Sequence, residues 1–157
     1  VEDHWSHVPD LGQQASSATL PDGDIIVSLT CWQARRELLR ARGSRVGVRL
    51  QESDDVGAIA DDLRDIDLIA LTFGTFSDGR GFSQARLLRQ RHGYSGEIRA
   101  TGRFLRDQLF FMERCGFDAF EVNDEPDPQA VMRAFSEISV RYQPSVDGPG
   151  LSDRLLR

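Results

Sequence analysis

Apolar residues recur along this chain in two alternating patterns. Residues 24–29, 46–50, 67–73, 97–101 and 118–122 are short β-rich runs, and each predicts a strand. Between them, residues 31–42, 54–65, 83–92, 104–115 and 127–138 carry helix-like spacing; Ile59 and Leu63, for instance, stand four apart on one face. Gly43, Gly93 and Gly116 follow three of these segments as stops, and Pro128 sits at the favoured first turn of the last. The 67–73 run is nearly continuous in apolar residues, as in a strand covered on both faces.

Five strand–helix units with short connections predict an α/β domain with a parallel sheet and right-handed crossovers. The spacing favours a doubly wound, flavodoxin-like sheet of order 2-1-3-4-5. A partial β/α barrel uses the same local units and is the alternative. The domain is expected over residues 24–142, with residues 1–23 peripheral and 143–157 a flexible, Pro- and Gly-containing tail. The chain starts at Val1 without Met, which suggests a trimmed or processed start.

At 157 residues, 39% hydrophobic and 28% charged, the chain has the composition of one ordinary globular domain. No apolar run approaches the roughly 20 residues that cross a bilayer, and the polar first 20 residues do not resemble a signal peptide. A cytoplasmic protein with no membrane association is expected. Cys31 and Cys115 lack the spacing of a redox dithiol or zinc site. Cys115 reads as a buried helix-end thiol, whereas Cys31 is expected to be partly exposed. A reducing compartment fits both.

All 19 basic residues are arginine, so a Walker-type phosphate loop and a lysine Schiff base are both excluded. The net charge is −6, yet residues 80–114 hold 8 arginines against Glu97, Asp107 and Glu113. An acidic chain with one basic segment predicts no nucleic-acid binding; it suits a small anion or an acidic protein surface. No histidine or cysteine cluster argues for metal, no Gly-x-Gly-x-x-Gly follows a strand, and no Gly-x-Ser-x-Gly elbow is present, so no cofactor is expected. A phosphoryl-signalling receiver is also excluded: Thr72 and Phe73 stand where its acceptor aspartate is needed.

In parallel α/β folds ligands bind where strands lead into helices. Two such loops carry arginine, Arg80 after the third predicted strand and Arg103 after the fourth. In the segment 76–83, glycines flank Arg80, so an anion site formed by Arg80, Ser83 and a helix N-terminus is one reading. A structural loop in which Asp78 caps the turn and pairs with Arg80 is the other. Arg103 and Arg106, three apart, are candidates to converge on an anion or a docking partner, with Asp107 as their structural alternative. Arg86, Arg89 and Arg91 read as a solvated helix face or a docking surface, and Arg99 as a strand residue at the edge of the sheet.

The stretches 46–50, 76–89, 94–100, 105–120 and 139–143 together resemble the bacterial family catalogued as domain of unknown function 934. The segment from Asp78 to Ser83 (Asp-Gly-Arg-Gly-Phe-Ser) and Leu105-Arg106-Asp107-Gln108 are its most specific parts; Thr75 stands where the family often has a basic residue. The resemblance implies an accessory role in assimilatory sulfite reduction, because family members are typically encoded beside sulfite reductase and phosphoadenylyl-sulfate reductase. It brings no catalytic residue set, and whether the chain is an enzyme stays open. The partner implied is sulfite reductase or its electron donor. The alternative is an enzyme or sensor that holds a sulfur oxyanion or nucleotide sulfate at an arginine-lined site.

Overall fold

The computed structural model describes residues 4–10, 19–75 and 77–121. The expected helix over 127–138 and the tail over 143–157 lie outside the described residues. Six strands, β1 (Ser6–His7), β2 (Ile25–Ser28), β3 (Val46–Leu50), β4 (Leu68–Phe73), β5 (Glu97–Gly102) and β6 (Ala119–Phe120), form one sheet in that same order. Every neighbouring pair is parallel. The parallel α/β architecture is the one the pattern predicts, but the strand order is that of the partial barrel, not the doubly wound 2-1-3-4-5. Both arrangements are built from the same right-handed units, so the hydrophobic pattern alone does not separate them. The N-terminal segment, expected to be peripheral, supplies β1 at one edge.

Sequential order has a physical consequence. When every crossover steps to the next strand with the same hand, all helices fall on one face. The burial pattern follows this rule. Ile25, Val27, Val48, Leu50, Ile69, Leu71, Ile98 and Ala100, alternate residues of their strands, share one large core with Trp32 and Leu39 of α1 (Leu29–Arg40), Ile59 of a 3-10 helix (Val56–Asp65), Leu88, and Leu109 and Met112 of α3 (Leu109–Cys115). The intervening residues face the other way. There Ile26, Leu68 and Ala70 form a separate small cluster against Trp5.

That second face is concave: the sheet curls into a half-barrel. His7 on β1 and Glu121 just after β6 belong to opposite edges, yet His7 Nε2 lies 2.9 Å from Glu121 Oε2. Strands about 4.8 Å apart would hold the edges of a flat six-stranded sheet far beyond that reach.

The helices differ from expectation in detail. Residues 56–65 are 3-10 rather than α, with the Asp55 carboxylate accepting from the Gly57 N–H at 2.9 Å. The helix expected over 83–92 begins earlier, as α2 (Arg80–Arg86), and continues as a π-helical turn over Leu87–Arg91. Gly116 ends α3 in the left-handed conformation at φ +108°, as its position predicts.

Gly102 closes β5 at φ +93°, and a Cβ there would lie 2.3 Å from the Phe73 carbonyl oxygen. Left-handed strain and the backbone clash act together, so Gly102→Ala is expected to cost about 2–4 kcal/mol. Urea unfolding monitored by circular dichroism checks this; an unchanged midpoint would show that the β4 and β5 ends are not packed this closely.

Candidate functional site

The loops at the carboxyl ends of β3, β4 and β5 meet around Phe73. Its ring packs on Phe82 (5.3 Å between centroids), Phe117 (5.9 Å) and Phe104 (6.2 Å). Gly81 lies so close to that ring that a Cβ would come within 2.5 Å of it. The Arg103 N–H donates to the Phe73 carbonyl at 2.7 Å. The aromatic cluster thus ties the loop bearing Arg80 to the loop bearing Arg103.

Arg80 is held by two carboxylates. Its Nε and Nη2 donate to Asp78, its own N–H donates to Asp78 Oδ1 at 2.9 Å, and Nη2 reaches Glu52 at 3.3 Å. The guanidinium holds the Asp78 carboxyl well below the usual carboxylate range. Glu52 also accepts from the Gly74 N–H. Gln84 on α2 donates to the carbonyls of Gln51 and Asp54, both at 2.9 Å. This network fastens the loop after β3 to the start of α2, and it uses the first N–H of α2 on Asp78.

The other predicted residues are placed less closely. Ser83 is exposed on α2, one turn beyond Arg80. Arg103 is exposed and forms no side-chain hydrogen bond or ion pair among the described residues. Asp107 is exposed in a 3-10 turn (Arg106–Gln108) and likewise makes no ion pair among them. The Arg106 side chain lies outside the described residues.

The basic 80–114 segment does not form one positive patch. Arg89, expected on a solvated face, is a staple: it donates to the carbonyls of Tyr94 (2.6 Å), Gly96 (2.8 Å) and Gly116 (3.0 Å), and it pairs with Asp118. The π-helical turn after α2 brings that position to the end of α3, where the Gly116 carbonyl accepts. Arg99 is not at the sheet's edge, since β5 lies between β4 and β6. It is buried on the concave face and pairs with Glu97 at 2.9 Å. Arg86 and Arg91 are exposed.

Sequence reasoning passed over Arg49, which read only as part of a core strand. A charged residue in a strand flanked on both sides was the available signal, because a central strand has no edge at which to place it. Asp62 was also missed. It is buried, accepts from Trp32 Nε1 at 2.9 Å, and pairs with Arg36 (3.0 Å) and Arg40 (2.9 Å), joining α1 to the 3-10 helix.

Both thiols are free and buried, Cys31 as well as Cys115, and burial pushes both above the ordinary thiol value. That suits packing, not nucleophilic attack. Among the described residues, no group of three or more His, Cys, Asp or Glu is placed to hold a metal ion, and no helix is long and apolar enough to cross a membrane.

Residues 47–151 match the model of a family described as bacterial protein of unknown function (DUF934), and the chain belongs to that family. No curated protein matches the chain.

The Asp78–Arg80 pair makes a pH prediction. A carboxyl depressed on folding contributes stability above its unfolded value of about 3.9 and loses it as pH falls toward the folded value. Asp78→Asn should therefore lower the urea midpoint at pH 7, and the gap from the parent chain should shrink between pH 4 and 2.5. A gap independent of pH would contradict the pairing.

Proposed function

We propose that this chain is an accessory protein of assimilatory sulfite reduction that docks onto sulfite reductase through its α2–α3 face. The pathway rests on family membership, since members of this family are typically encoded beside that reductase. A cytoplasmic location goes with it.

The docking face rests on one observation. Phe111 on α3 is 48% exposed and packs at a tilt against Phe82 of α2 with 5.1 Å between ring centroids. Arg86 follows Phe82 by four residues, so helical spacing puts its guanidinium on the same side. Leu105, just ahead of α3, is 47% exposed. Exposed aromatic and arginine side chains in one patch have the composition of interface centres, and the arginine would steer an acidic partner toward it.

The alternative, a sulfur oxyanion at Arg80 and Arg103, has weaker support. Arg80 already shares Asp78 and Glu52, so an incoming anion would face two carboxylates around one guanidinium.

Co-purification with sulfite reductase at low salt tests the proposal. Phe111→Ser and Arg86→Glu should each weaken capture at least about tenfold, as interface anchors do, without lowering the melting temperature. A deletion strain should grow on cysteine or sulfide but poorly on sulfite. Unchanged growth on sulfite, or capture indifferent to both substitutions, would contradict it.

A further inference from the structure

The concave face of the half-barrel is graded from apolar to polar along the strands. At the amino ends of the strands, Trp5 packs against the cluster of Ile26, Leu68 and Ala70, with Arg45 over the Trp5 ring at 5.0 Å. The next layer is set by register: Ser28 beside Arg49, Arg49 beside Ala70, and Ala70 beside Arg99. One step nearer the carboxyl ends, Thr72 pairs with Thr101, whose hydroxyl lies 3.4 Å from the Thr72 hydroxyl.

Arg49 and Arg99 are thus two strands apart, about 10 Å at ordinary strand spacing, with only the small Ala70 between them. Both positions lie on the concave side of the curled sheet. Arg99 has a counter-ion in Glu97. Arg49 has none among the described residues, and its Nε is buried without a hydrogen-bond partner. Among the described residues, Glu121 pairs with His7, and Asp10 accepts from the hydroxyl of Ser28, the register neighbour of Arg49. A cation in such a place, over an apolar floor, is costly unless an anion joins it.

We infer that the concave face is a binding site for a small oxyanion, held by the Arg49 guanidinium beside Arg99 and by the Thr72 hydroxyl, which itself accepts from Thr101. It lies toward the carboxyl ends of the strands, where parallel α/β sheets and barrels hold their ligands. The donor set is positive and hydroxylic, which suits sulfite, sulfate or phosphate. The apolar floor limits the ligand to a small group. The site is on the opposite face of the sheet from the α2–α3 surface, so either proposal stands if the other fails.

Calorimetric titration of the full chain in low-chloride buffer with sulfite, sulfate and phosphate, each in turn, is the test. At least one should bind, and the preference among them identifies the oxyanion. Arg49→Gln should weaken binding about 10- to 100-fold, the loss expected for one charged hydrogen-bonding group. Arg103→Ala, on the outer loop, should change it less than about twofold. Thr72→Val gives a milder second probe and should weaken binding several-fold. Without anion, Arg49→Gln should melt no lower than the parent, since it removes an uncompensated cation; with anion, only the parent should gain. No binding of any of the three at about 10 mM would overturn the assignment. Equal affinity in both Arg49→Gln and Thr72→Val, or loss confined to Arg103→Ala, would also overturn it.

Discussion

The handedness of the strand-to-strand crossover governs this structure. Each unit steps to the next strand in the same sense, so every described helix packs on one face of the sheet. Among the described residues the opposite face receives no helix and must cover itself. It does so by curling until the first and last strands approach, with His7 and Glu121 spanning the remaining gap. Trp5, from a segment ahead of the first predicted strand, supplies the large side chain at one end of the hollow.

That division explains how the arginines are used. In a chain without lysine, every cationic task falls to the guanidinium group, and its several donors suit it to more than ion pairing. Arg89 satisfies the backbone carbonyls of Tyr94 and Gly96 ahead of β5 and of Gly116 at the end of α3, and Arg36 and Arg40 compensate the buried Asp62. Arg80 holds a loop through Asp78 and Glu52. A run of basic residues in the sequence is therefore spread over a staple, a loop clasp and an interior pair. Arg86, Arg91 and Arg103 remain exposed, Arg86 on the same helix as Phe82. The interior retains Arg49 and Arg99 in one layer.

Much of the fold was legible in the sequence. Alternation and glycine stops located β2 to β6, the helical character between them and the parallel sense. The strand order was not legible, because a right-handed βα unit looks the same locally whichever neighbour its strand later pairs with. Ser6–His7 is too short for any periodicity to announce. For the site, Asp78 and Arg80 were found through their glycine-flanked loop, and the structure joins them as one of the two readings described. Arg99 was misplaced for the same reason as the order: without the strand neighbours, an alternating arginine looks like an edge residue. Arg49 acquires meaning only through register, since nothing local reveals that it shares a layer with a residue 50 positions later.

The account depends on the sequential, curled sheet, and methyl-resolved nuclear Overhauser spectroscopy on the full chain reads it directly. Val48 should show cross-peaks to both Val27 and Ile69, and the His7 ring should show contacts to the Glu121 side chain. Cross-peaks joining Val27 to Ile69, with none between Val48 and Ile69, would place β2 beside β4. That outcome would restore the doubly wound order and remove the layer that Arg49 and Arg99 share through Ala70.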